Sequence, residues 1–162
     1  MEKEYVKSLE DRIEELENAL KLLYPTTENI LRTIINQKRN FLDNDFAKIR
    51  PSNEQVGLNI LKEVCTIRFN SGRQMGHTTA IIKLCNEQPD DSLIIVDNRM
   101  KLDRYYPKKF SIYSDEIINK NTIIHKKLIF IEDALMYSTR NHYINSLYER
   151  VSVNTLPVIV IT

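Results

Sequence analysis

The residues best suited to chemistry sit together in Asn70-Ser71-Gly72-Arg73-Gln74-Met75-Gly76-His77-Thr78-Thr79, between an apolar run and a helical stretch. Average usage of about 7% would give a chain of this length roughly 11 glycines. The sequence has three, and Gly72 and Gly76 are two of them. A glycine-bearing turn from strand to helix lets backbone N–H groups and the positive end of the helix dipole converge on a phosphate. Glycine is needed because a side chain would hold the backbone away from the ligand. A second polar group, Glu132-Asp133, follows Leu128-Ile129-Phe130-Ile131, 61 positions after Ser71. Gln55 and Thr162 complete the candidates, the first in Pro51-Ser52-Asn53-Glu54-Gln55 and the second directly after the apolar run 157–161. Each also has a plainer reading. Gln55, three residues after Ser52, suits a helix capping box, and Thr162 can be a terminal residue without a role.

These groups need elements to hold them. Short apolar strands are expected at 65–69, 92–97, 127–131 and 157–161, with helices over about 77–87 and 139–150. Such an alternation predicts an α/β fold whose parallel sheet is covered on both faces. Ahead of it, a helix from Thr27 to about Asn40 turns Ile30, Leu31, Ile34 and Ile35 inward. A less regular stretch with Phe41, Leu42, Phe46 and Ile49 follows, and then a third helix burying Val56, Ile60, Leu61 and Val64. Cys65 and Cys85 match no metal spacing and read as small, buried, reduced residues. His125 and His142 have no carboxylate or cysteine at metal spacing.

The first 24 residues carry a heptad stripe, with Val6, Ile13 and Leu20 at a and Leu9, Leu16 and Leu23 at d. Leucine at every d with β-branched residues at two a positions favours a parallel two-stranded coil, and Arg12 at g would reach Glu17 at e of a second chain. A homodimer through residues 6–23 is therefore expected, the other reading being an amphipathic helix packed on its own domain. Tyr24-Pro25 ends the helix either way. Three units follow: a coiled-coil helix over 1–24, a helical linker region over 25–50, and an α/β domain over 51–162. The 42% hydrophobic and 28% charged composition with a net charge of +1 excludes collagen-like and wholly disordered classes and singles out no partner by charge. No apolar run nears the roughly 18 to 20 residues of a membrane span, and MEKEYVKSLEDR is too charged for a signal peptide, so a cytoplasmic protein without membrane contact is expected.

On these residues the sequence resembles the P-loop NTPases, within them superfamily 2 helicases and phage large-terminase motors, whose loops often read R-Q-x-G-K-T-T. Arg73-Gln74-Met75-Gly76-His77-Thr78-Thr79 follows that string except at the lysine. On the Walker A pattern G-x-x-x-x-G-K-[ST], Ser71 stands at the first glycine, Gly76 matches, His77 replaces the lysine and Thr78 matches. Leu128 to Ile131 followed by Glu132-Asp133 looks like Walker B with its two acids exchanged. The resemblance implies Glu132 near Mg²⁺, together with Thr78, and Asp133 near the attacking water. It also implies that Gln55 reads adenine, that Thr162 senses or couples the γ-phosphate, that ATP and Mg²⁺ are the cofactors, and that the four strands lie in the order 1-4-3-2. The loop and an Asn-, Ile- and Lys-rich composition suit a phage or mobile-element origin, and hence a host cytoplasm.

Two departures bear on activity. A histidine with a reference pKa near 6.5 is shorter than lysine and mostly neutral at pH 7. Exchanging Asp and Glu shifts each carboxylate by a methylene, and a misplacement of about 1 Å can cost roughly 100-fold. The expected function is a nucleotide-binding module, dimerised by its coil, that hydrolyses weakly or not at all. The alternatives are a structural adaptor that keeps the fold without binding nucleotide, and an active ATPase working on nucleic acid. Residues 99–109, with Arg99, Lys101, Arg104, Lys108 and Lys109 around Tyr105 and Tyr106, suit a strand-binding loop and equally an exposed crossover. Arg140 and Arg150 suit either a solvated helix face or charge donation to a neighbouring subunit. No further strand follows the apolar run that ends at Ile161, so either the sequence is part of a longer chain or the three N-terminal helices cover that side of the sheet.

Overall fold

A computed structural model describes residues 6–7, 11–16, 26–46, 54–69, 76–132 and 141–162. Helix α1, Thr27–Phe41, is capped by Thr26, whose Oγ1 accepts from the Asn29 backbone N–H at 3.2 Å. Glu28 in its first turn and Lys38 and Arg39 in its last oppose the helix dipole. Leu31 and Ile35 are buried, and Leu42 continues their face into a π-helical turn, Leu42–Phe46. Helix α2, Glu54–Asn59, likewise widens into a π-helical segment, Ile60–Cys65, which leads directly into strand β1, Thr66–Arg68. The alternation that follows is α3 (His77–Glu87), β2 (Ser92–Val96), α4 (Arg99–Tyr105), β3 (Ser111–Tyr113), α5 (Ser114–Asn119), β4 (Leu128–Ile131), α6 (Asn141–Tyr148) and β5 (Val158–Ile161).

The result is an α/β fold around one five-stranded, all-parallel sheet of order β1-β5-β4-β2-β3. The expected four-strand order 1-4-3-2 is thereby corrected, because β3, unread in the sequence, extends the sheet beyond β2. Three half-buried residues carry too little periodicity to announce a strand. What makes them one is pairing of Ser111, Ile112 and Tyr113 with Ile94, Ile95 and Val96. Strand β5 lies between β1 and β4, the neighbours expected for the 157–161 run.

Every residue of β4 and β5 is buried, and so is every residue of β2 except half-buried Leu93. Parallel strands are apolar in this way because helices cover both faces. Right-handed crossovers carry β1 to β2 to β3 over one face and β3 to β4 to β5 over the other. The packing agrees, with α1 against α3 and α5 against α6. Arg32 reinforces the first pair by donating to both Glu87 oxygens at 2.6 Å and to Glu28 at 3.0 Å. These groups are partly exposed, so each pair contributes at most about 1 kcal/mol, and the apolar contact dominates.

Of the heptad stripe, residues 6–7 and 11–16 are helical, and Val6, Ile13 and Leu16 are 48%, 57% and 59% exposed. The rest of the chain does not cover the stripe at these positions. Leu9, Leu20 and Leu23 lie outside the described residues, and the expected coiled coil is not shown. Among the described residues, no helix is long and apolar enough to cross a membrane.

Both cysteines are fully buried free thiols. Burial pushes Cys65 up to about 11 and Cys85 up to about 12, Lys38 and Ser92 offsetting little of it. The unfolded chain therefore ionises first as pH rises. The stabilisation from these neutral thiols is whole below the ordinary value of 9.0 and lost progressively as pH climbs through the folded values. Urea denaturation should show stability falling from pH 9 to 11, less steeply in Cys85→Ala; an unchanged slope in that variant would contradict the assignment.

Candidate functional site

Backbone hydrogen bonds align four chain positions along the edge of the sheet where the strands end. Phe69 N–H donates to Ile161 at 2.9 Å, Thr162 N–H to Ile131 at 3.0 Å, and Glu132 N–H to Ile95 at 3.1 Å. Phe69, Thr162, Glu132 and Val96 thus follow one another across β1, β5, β4 and β2. In open parallel sheets this carboxyl edge is where ligands bind, near points at which successive connections leave toward opposite faces. Here β1 and β2 exit toward one face and β4 toward the other.

Helix α3 begins at the same edge. Its N-cap, Gly76, has φ +71°, in the left-handed region that favours glycine, and an added Cβ would meet nothing within 4 Å. Backbone conformation requires glycine here, and among the described residues nothing crowds the position. Among the described residues no side chain caps α3, and no acid lies in its first turn. The positive end of its dipole is therefore not offset locally. His77 and Thr78 are half-buried and Thr79 is exposed. The His77 ring lies 5.5 Å from that of Phe69, tilted by 44°, so it packs beside the end of β1.

Thr78 lies near the side chain of Tyr106, which is only 8% exposed. Burial raises the Tyr106 pKa and the Glu132 charge raises it further, while Thr78 and Lys101 pull the other way. Glu132 Oε1 accepts from Lys101 Nζ at 2.9 Å, and Glu132 Oε2 is buried without a hydrogen-bond partner. The Lys101 pKa is raised, chiefly by that bond, with Asp97 adding to it. Lys101 reaches inward because α4 starts two residues before it: Asn98 Oδ1 caps the helix, accepting from Met100 N at 2.9 Å and Lys101 N at 3.2 Å. One site therefore joins the first turn of α3 to the ends of β2 and β4.

Among the expected residues, Gly76, His77, Thr78, Thr79, Glu132 and Thr162 share this edge. Gln55 lies in α2, its side chain outside the described residues, as are Ser71, Gly72, Arg73, Gln74, Met75, Asp133 and Arg140 altogether. The 99–109 stretch divides. Arg99–Tyr105 is helical, Lys101 and Tyr106 turn toward the site, Arg104 lies over exposed Tyr105 at 5.3 Å, and Lys108 is 3.8 Å from Asp103. Asp97, Asn98 and the inward roles of Lys101 and Tyr106 escaped the sequence reading. The available signal was polar Asp97-Asn98 directly after an apolar strand, where an Asn N-cap fixes which helix residues face back. A cavity of about 390 Å³, lined by Gly57, Leu58, Leu61, Tyr148, Glu149, Val151 and Val153, includes none of the candidate residues. Tyr148 bonds Thr66 at the start of β1, 2.7 Å away, which places this cavity toward the other end of the sheet. Comparison of the chain with family models, curated proteins and solved structures found no match.

The Lys101–Glu132 pair is partly exposed on the lysine side, 45% against 17%. A double-mutant cycle with Lys101→Met and Glu132→Gln, read by urea denaturation, should give a coupling of about 0.5 to 1 kcal/mol that shrinks in high salt. Zero coupling at low salt would show that the pair does not form.

Proposed function

We propose that the chain is a P-loop-type nucleotide-binding module, taking ATP with Mg²⁺, hydrolysing it weakly or not at all, and dimerised through its N-terminal heptads. The observation that carries this reading is the meeting of Gly76, Thr78 and Glu132 at one carboxyl edge of a parallel sheet. The left-handed Gly76 at a helix start that no described side chain caps suits a phosphate, and the buried, unpartnered Glu132 Oε2 suits a divalent ion or its water. Among the described residues no three His, Cys, Asp or Glu side chains cluster as a metal cage. An ion here would rest on Thr78, Glu132 and the phosphates themselves, as Mg²⁺ commonly does. When bound, Mg²⁺ supplies charge neutralisation on the β- and γ-phosphates.

Each residue's task follows from its surroundings. Thr78 offers its hydroxyl from the first turn of α3, beside Tyr106. Glu132 is held by Lys101 through one oxygen, which leaves only the other for an ion. His77 packs beside Phe69 and is shorter than the lysine it replaces, in keeping with weak turnover. A second reading, a structural adaptor without nucleotide, is favoured by the same Lys101–Glu132 contact, since an ammonium there already neutralises the carboxylate without any ion. The nucleic-acid role considered for residues 99–109 loses Lys101 and Tyr106 to the site, and Arg99, Arg104, Lys108 and Lys109 are left as its basic groups.

Calorimetry should detect ATP binding that is tighter than AMP binding and tighter with Mg²⁺ than without. Thr78→Val should remove most of the Mg²⁺ gain, roughly tenfold, while keeping side-chain volume. Absence of any nucleotide binding would leave the adaptor reading. For assembly, Ile13→Asp with Leu16→Asp should halve the mass seen in light scattering, and an unchanged mass would remove the coil from the proposal.

A further inference from the structure

The phosphate loop lacks its lysine, yet a lysine stands at the site. We propose that Lys101, from the helix after β2, supplies the positive charge that faces the terminal phosphates of a bound nucleoside triphosphate, in place of the residue at position 77. This rests on the nucleotide-binding reading above and adds to it which residue recognises the polyphosphate.

Three observations carry the assignment. The His77 imidazole is engaged with the Phe69 ring at 5.5 Å, at the end of β1. The Lys101 ammonium is fixed 2.9 Å from Glu132 Oε1 at the end of β4, and Tyr106 lies close to Lys101, to Glu132 and to Thr78 in the first turn of α3. Lys101 thus belongs to the same cluster as the first turn of the loop helix, although it is 25 residues from Gly76 in sequence. An ammonium has three donors, and Glu132 takes one of them. With the side chain 45% exposed, the others can turn to an anion without breaking the pair. A lysine contributes as a point charge on a flexible stem, so it can serve a phosphate from a different element than the usual one.

The test is calorimetry with ATP and AMP on the full chain in four forms: wild type, Lys101→Met, His77→Ala, and Lys101→Met with Glu132→Gln. Lys101→Met should weaken ATP binding by roughly 10- to 150-fold and AMP binding much less, since a charge-assisted bond to the outer phosphates is lost. His77→Ala should cost less than Lys101→Met. The double variant separates direct contact from simple neutralisation of Glu132, because it leaves no stranded carboxylate to repel phosphate. If Lys101 touches the phosphates, ATP binding stays weak in the double variant; recovery to wild-type affinity would overturn the proposal. Equal affinity in wild type and Lys101→Met would also overturn it, as would a larger loss in His77→Ala, and both outcomes leave nucleotide binding itself intact. No ATP binding by wild type would remove both readings. Lys127→Met, at the opposite end of the sheet beside Asp91, should bind ATP like wild type and controls for net charge.

Discussion

Every strand of the sheet runs the same way, so every strand ends at one edge, and all that this chain can do at a shared site depends on that constraint. Parallel pairing brings Phe69, Thr162, Glu132 and Val96 into one row although they lie far apart in sequence. It also demands long crossovers, whose helices cover both faces and leave β4 and β5 wholly apolar. Polar residues are then tolerated mainly where strands stop. Asp97, Glu132 and Thr162 are each the first residue past a strand, and they are the polar groups from which the candidate site is built.

Position in the strand order decides which of these ends cooperate. With β5 between β1 and β4, one strand, followed by Thr162, lies between the strand that leads to α3 and the strand that leads to Glu132. With β2 on the other side of β4, the helix that follows β2 starts near Glu132, which is why Lys101 reaches a carboxylate 31 residues away. Tyr106, just past α4, lies near Thr78. The cluster is therefore a consequence of topology, and no contiguous motif encodes it.

That explains what could be read from the chain and what could not. Runs such as Ser92–Val96 and Leu128–Ile131 announce themselves because complete burial demands continuous apolar residues. Leu31 and Ile35 do so through helical spacing. Strand β3 was missed because three half-buried residues at an edge gain their order from β2, not from any pattern of their own. Helix α4 was read as a loop because Arg99, Lys101, Arg104 and the two tyrosines resemble a solvated basic stretch, and only the Asn98 cap marks the turn. Glu132 stands out as a candidate, since an acid after four apolar residues is a local signal. Its partner does not, since nothing local ties Lys101 to it. The heptads show a further limit: spacing defines the stripe, and exposure of Val6, Ile13 and Leu16 shows it uncovered, but neither supplies the second helix.

The pairing of Glu132 with Lys101 also sets how such a site would balance charge. A mostly buried carboxylate at a strand end is costly unless a cation or hydrogen bonds compensate it. Where a P-loop lysine and a bound ion are both present, that compensation arrives with the ligand; here an ammonium supplies it beforehand. The resting pair is close to neutral, so a polyphosphate meets no stranded carboxylate there, and the N-terminus of α3 adds its dipole to the charge of the ammonium. A phosphate drawn there can take the lysine's remaining N–H groups while Glu132 keeps its own, so the ammonium's charge is then shared between two anions. Hence a module built this way should hold its ligand without a strong electrostatic clamp on the transferring group, which is the requirement that efficient phosphoryl transfer places on its site.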